Sequence, residues 1–121
     1  MKLIIEGTLP GLNDYIRACR GNRYVGARMK DACEERVAWA IRSHGIQPFT
    51  SKVQVGFHWI EPNMRRDKDN IAFGKKFILD ALVMAGVLPL KDGWKGVEGF
   101  RDSFSIDRHN PRIEVTMERA T

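Results

Sequence analysis

Between residues 65 and 80 the chain reads Arg65-Arg66-Asp67-Lys68-Asp69-Asn70, and Lys76 and Asp80 follow at helical spacing. At 100° per residue from Asp69, Lys76 falls near about −20° and Asp80 near about +20°. A helix over Asp69 to Ala85 would therefore present acid, lysine and acid on one stripe. Its far side would pack Ile71, Ile78, Ala81, Leu82 and Ala85 on a sheet, with Phe73, Phe77 and Met84 flanking the charges. The bland alternative is a solvated surface carrying a Lys76–Asp80 pair worth a few tenths of a kcal/mol.

Such a set of residues has a chemical use. Magnesium prefers oxygen ligands and keeps several of its waters, so a few carboxylates hold it. It can activate water and stabilise charge on an attacked phosphate. A nearby lysine stabilises the same charge, and arginines grip flanking phosphates in a bidentate manner. Acids alone would repel a polyanion, so Asp67 and Asp69 inside a basic protein favour a phosphate site bridged by a cation. Asp-x-Asp alone is common, and a third acid is needed. Asp92, in the loop Leu90-Lys91-Asp92-Gly93-Trp94, is the best candidate. It could equally be a turn residue before Gly93.

A second basic region lies upstream. Arg17, Arg20, Arg23, Arg28 and Lys30 occur between Tyr15 and Lys30 without an acid among them. With Gly21 and Gly26 loosening the backbone, this stretch reads as a flexible loop that follows phosphates. Tyr15 and Tyr24 could stack on opened bases. The alternative is a solvated surface with packed tyrosines. Phosphate contacts of this kind give salt-sensitive affinity and little base reading.

The elements that must position these residues follow from pattern. Leu3 to Thr8 reads as a strand, ended by Pro10 and Gly11. Residues 12 to 26 suggest a short helix and then a loop. From Ala27 to Ser43, Met29, Ala32, Cys33, Val37, Ala40 and Ile41 recur at helical spacing, and Gly45 stops the helix. Val53, Val55, Phe57 and Trp59 alternate with polar residues as a half-buried strand, broken at Pro62. His58 lies on the other face of that strand. After the long helix comes a loop over 89 to 96, where Trp94 either packs as an ordinary apolar side chain, the favoured reading, or buttresses the Asp92 loop. A final hairpin pairs Val97 to Ile106 with Arg112 to Glu118 through a polar turn. The fold class expected is α/β, one small domain over residues 1–121, with a mixed sheet of about four strands packed against helices.

Composition narrows the partners. At 121 residues the chain suits one domain, and its formal net charge of +5 favours polyanions. No apolar run nears the roughly 20 residues that span a bilayer, and no signal peptide is evident, so the expected location is the cytoplasm. Cys19 and Cys33 are too few for a disulfide framework, and the three histidines are scattered.

The ordered set Arg65-Arg66-Asp67-Lys68-Asp69-Asn70-Ile71, Lys76-Phe77-Ile78-Leu79-Asp80-Ala81-Leu82 and Lys91-Asp92-Gly93-Trp94 resembles the RusA-type Holliday junction resolvases, small enzymes commonly encoded by phages and prophages. The resemblance implies a homodimeric, magnesium-dependent endonuclease, with manganese as a substitute ion. It would nick four-way DNA junctions symmetrically in recombination and repair, in a bacterial or phage-infected cell. It implies Asp67, Asp69 and Asp92 as catalytic metal ligands, Lys76 as the essential lysine and Asp80 as a supporting acid. Arg65, Arg66 and the upstream basic residues would meet DNA. In the family pattern the lysine follows the second acid by four residues, whereas here it follows by seven. On a continuous helix this puts Lys76 about 4.5 Å farther along the axis. Lys75 is the competing choice but points away from Asp69. Two other readings remain open, a non-catalytic DNA-binding module and a general magnesium nuclease.

Overall fold

A computed structural model describes residues 1–89 and 93–120. The α/β class is as expected. The strands are β1 (Lys2–Glu6), β2 (Val53–Glu61), β3 (Val97–Ile106) and β4 (Arg112–Arg119). The helices are α1 (Leu12–Gly21), α2 (Arg23–His44), α3 (Lys68–Ala72), α4 (Lys75–Met84) and the single turn α5 (Gly93–Gly96).

The four strands form one mixed sheet in the order β1-β4-β2-β3. β4 runs antiparallel to both β1 and β2, while β3 lies parallel to β2 at the edge. The expected terminal hairpin is therefore absent. β3 and β4 are consecutive in sequence but are separated in the sheet by β2. The polar link over residues 107–111 crosses the end of β2, where the Asp107 amide donates to the Glu61 carbonyl at 2.9 Å. A β2–helix–β3 crossover returns the chain parallel to β2, and β4 then takes the other side of β2, leaving the outer edge of β3 open.

Strand alternation decides what is buried. Leu3 and Ile5, Ile113, Val115 and Met117, and Val53, Val55, Phe57 and Trp59 all point to one face and are buried. There they meet Cys33, Val37, Ala40 and Ile41 of α2 and Phe77, Ile78, Ala81 and Leu82 of α4 in one core. The opposite face is polar, with Lys2, Glu6, His58, Glu114 and Thr116 on it and only partly covered.

Two helical readings change. Residues 12–44 are helical apart from a break at Asn22, so the basic stretch is not a loop. Asn22 starts α2 by accepting a hydrogen bond from the Tyr24 amide at 2.7 Å. Gly26 does not loosen the backbone. It is buried in α2, where an added Cβ would lie 2.5 Å from Cys19 Sγ, so it lets α1 and α2 approach. The long helix expected over Asp69 to Ala85 is two helices, separated by Phe73 and Gly74. There the amides of Gly74 and Lys76 bond three residues back, to Ile71 and Phe73. Glycine costs about 1 kcal/mol in a helix interior, which favours the break at this position. Ala85, assigned to the apolar face, is exposed beyond the end of α4.

Candidate functional site

The acidic motif lies where β2 gives way to α3. β2 ends on Glu61, in phase with Phe57 and Trp59, and Glu61 is therefore buried. Pro62 stops the strand, and Asn63 accepts from the Arg65 amide at 3.0 Å to turn the chain. That turn points Arg65 outward and Arg66 inward. Arg66 binds Glu61 in bidentate fashion, at 3.0 and 2.9 Å, and also donates to the Leu9 carbonyl at 2.9 Å. Its guanidinium is thus taken up inside the protein.

Asp67 caps α3 with extended backbone, and its carbonyl accepts the Ile71 amide at 3.0 Å. Its carboxylate makes no hydrogen bond or ion pair among the described residues. Asp69 accepts only from the neighbouring Asn70 amide, at 2.9 Å. Both acids are exposed. They line one cleft with Glu61, Lys68, Phe104 and Ile106. Lys68 Nζ stands 5.7 Å from the centre of the Phe104 ring, a cation–π contact on the cleft wall.

Asn70, the last residue of the motif, has a structural task. Its Oδ1 accepts from the Asn13 amide at 2.9 Å, in the first turn of α1. This supplies the side-chain cap that Gly11 lacks, and Gly11 lets Asn70 come close, since a Cβ there would sit 2.5 Å from Asn70 Oδ1. The helix carrying Asp69 is thereby tied to the helix carrying Arg17 and Arg20.

Lys76 and Asp80 lie in a different cleft, lined also by Val97, Phe100 and Trp94. The break at Gly74 takes them off the stripe that Asp69 would have shared on one continuous helix. Lys76 pairs with Asp80 at 3.2 Å, and Lys30 of α2 reaches the other oxygen of Asp80 at 3.4 Å. The Asp80 carboxylate holds the Lys30 ammonium above its usual range. Arg17, Arg20 and Arg28 are exposed on α1 and α2. Tyr24 is exposed beside Arg23, whereas Tyr15 packs on Phe73 and Phe77 with ring centres 5.5 and 5.8 Å away. Asp92 lies outside the described residues. Among the described residues no group of three or more acids, cysteines or histidines could hold a metal ion.

One side chain that sequence reasoning passed over, Asp102, stands between the clefts. Asp102 of β3 accepts from Trp59 Nε1 and from Lys75 Nζ, each at 2.8 Å. Lys75 also lies over the rings of Phe100 and Phe57, at 4.8 and 5.3 Å. The signal was available. Phe100, Asp102, Phe104 and Ile106 alternate on one face of β3, so an acid in that phase must face the helices and find a partner. Glu61 followed from the same rule on β2. His58 contacts Ser105 at 2.8 Å on the open face of the sheet, away from both acids.

No protein-family model matches the chain, and no curated protein matches it either. Among the described residues no helix is long and apolar enough to cross a membrane.

Proposed function

We propose that the protein is a magnesium-dependent endodeoxyribonuclease that acts as a homodimer on four-way DNA junctions, with Asp67 and Asp69 as the carboxylates at its centre. One observation carries the reading. Glu61, Asp80 and Asp102, the neighbouring acids on the helix-covered side, are each held by a cation. Asp67 and Asp69 share a cleft and have no cationic partner among the described residues. Two carboxylates in one cleft, neither held in an ion pair among those residues, suit a hard divalent ion that keeps most of its waters. Such an ion, when bound, would supply an activated water and charge stabilisation at phosphorus.

The chain's own residues then divide the work. Asp67 and Asp69 hold the ion, with Asp92 as the further acid that the motif resemblance implies. The motif resemblance assigns the phosphate charge to Lys76, which would reach it from the neighbouring cleft, where Lys76 pairs with Asp80. Arg65, exposed beside the acids, and the arginines of α1 and α2 meet flanking phosphates. Arg66 acts indirectly, because its pairing with Glu61 fixes the turn that presents Asp67.

The test is cleavage of a synthetic four-way junction with magnesium. Wild-type protein should release paired nicks at symmetric positions. Asp67→Asn should lower nicking by about a thousandfold and leave junction binding within a few-fold of wild type. Retained nicking would remove Asp67 from the site. Equal cutting of linear duplex would leave a nuclease without junction selectivity. Junction binding with no magnesium-dependent cutting by folded protein would favour a DNA-binding module.

A further inference from the structure

We propose that the free edge of β1 pairs antiparallel with the same edge of a second copy, about a two-fold axis at Ile4, to make one continuous eight-stranded sheet. The alternation of hydrogen bonds along β1 locates this edge. Met1 and Met117 exchange backbone bonds at 3.0 and 2.8 Å, and the Gly7 amide donates to the Pro111 carbonyl at 2.9 Å. With Leu3 opposite Val115 and Ile5 opposite Ile113, the odd residues face β4. The backbone groups of Lys2, Ile4 and Glu6 therefore point away from the sheet. Among the described residues, the Glu6 carbonyl alone of these has a hydrogen-bond partner, Arg36 Nη2 at 2.7 Å. An edge of this kind is a template for another strand.

The sequence of the edge is its own complement. Antiparallel pairing centred on Ile4 sets Ile4 against the partner's Ile4, Lys2 against the partner's Glu6, and Glu6 against the partner's Lys2. Opposite charges meet directly across the pair, with an apolar contact at the axis. Lys2 already contacts Glu114 at 2.8 Å but keeps half of its side chain exposed, so it can serve both acids.

α2 continues the match. A groove beside β1 is lined by Ile4, Glu6, Glu35, Trp39 and Arg42. Glu35, Trp39 and Arg42 stand at spacings of four and three, on one stripe of α2. The same two-fold axis lays α2 antiparallel to its copy. Trp39, 66% exposed in the single chain, then meets the partner's Trp39, and Glu35 faces the partner's Arg42. A contact in which one patch serves both copies is the isologous kind that closes at two. The inference rests on the nuclease reading for its use, since paired cuts need two sites in a fixed relation. The pairing itself rests on the strand edge.

The experiment reads mass and cross-linking, not cleavage. In a Cys19→Ser background, which removes the exposed thiol, Ile4→Cys should give a majority of disulfide-linked dimer on mild oxidation. Facing residues of a hydrogen-bonded antiparallel pair stand about 5.5 Å apart, within disulfide reach. Ser103→Cys, on β3 at the opposite edge, should remain monomeric on the same treatment. Sedimentation equilibrium should give a dimer at micromolar concentration, weakened at least about tenfold by Glu6→Lys. Adding Lys2→Glu to Glu6→Lys should restore most of that loss. A monomer at about 100 μM, or linkage through Ser103→Cys and not through Ile4→Cys, overturns the inference. If the exchanged pair fails to fold because Lys2→Glu crowds Glu114, the Ile4→Cys result decides. A dimer linked at Ile4 that cuts no DNA would uphold this inference while sinking the nuclease reading, and a monomer that nicks junctions would do the reverse.

Discussion

The clefts on either side of Asp102 hold similar residue types but pair their acids differently. In the cleft beside Phe100, Asp80 is shared by Lys76 and Lys30, and Lys75 closes on Asp102. In the cleft beside Phe104, Glu61 is neutralised by Arg66, while Asp67 and Asp69 stand exposed without an ion pair among the described residues, with Lys68 on the same cleft wall. Compensated acids of the first kind hold elements together. Asp67 and Asp69, exposed and without an ion pair among those residues, hold no elements together and are open to solvent or a ligand. The contrast also assigns the two arginines of the motif differently: Arg66 is structural, and Arg65 is free to meet a ligand.

The largest expected effect tests that contrast through stability. Arg66→Met would leave Glu61 charged and buried with no partner for its carboxylate. Breaking a buried pair from one side costs about 3 kcal/mol, a fall in Tm on the order of 10 °C for a domain of this size. Asp67→Asn removes a carboxylate with no ion pair and should change stability by less than about 0.5 kcal/mol. Thermal denaturation of the two variants side by side measures the difference. Equal melting would show that the two acids are not distinguished as the geometry indicates.

A finer test separates the adjacent lysines. Lys75→Met removes an ion pair whose side chains are only 20% and 27% exposed, and leaves Asp102 to Trp59 alone. A loss of about 1–2 kcal/mol in stability is expected. Lys76 is 63% exposed, so Lys76→Met should cost a few tenths of a kcal/mol at most while lowering junction nicking by about a hundredfold. The readouts are urea unfolding for stability and single-turnover cleavage for activity. The reverse pattern, with Lys75→Met stable but inactive, would move the essential lysine one position back.

The fold was largely legible because burial follows period. The alternation in Val53 to Trp59 and the helical spacing from Met29 to Ile41 both reflect one buried face. The pairing of the last two strands was not legible, since a polar turn between two strands looks alike whether they pair or straddle a third. The break at Gly74 was missed because Ile71 and Ile78 keep an apolar rhythm across it, and both are buried. At the site, the types and spacing of Asp67 and Asp69 were readable, but their freedom from ion pairs was not. That freedom depends on where Arg66, Lys75 and Lys30 go, and each finds an acid distant from the Asp-x-Asp pair in sequence or turned away from it. The partner of Arg66 was nonetheless within reach, because Glu61 continues the inward phase of β2.

The smallest effect concerns an acid of the compensated kind, remote from both clefts. Glu114 accepts from Lys2 at 2.8 Å and from Arg112 at 2.8 Å on the open face of the sheet. The hydrogen bond from Lys2 first, then that from Arg112, holds its carboxyl below the usual range for glutamate. A carboxylate whose folded value is depressed stabilises the protein fully above the unfolded value, about 4.3, and loses that contribution as pH falls through the folded value. Glu114→Gln should therefore cost up to about 1 kcal/mol at neutral pH. The gap between wild type and variant should narrow on acidification and close near pH 2. Melting curves at pH 7 and at low pH measure this. A gap that persists in acid would mean that Glu114 acts through packing and not through its charge, and the division between compensated and uncompensated acids would then lose its electrostatic basis on this face of the sheet.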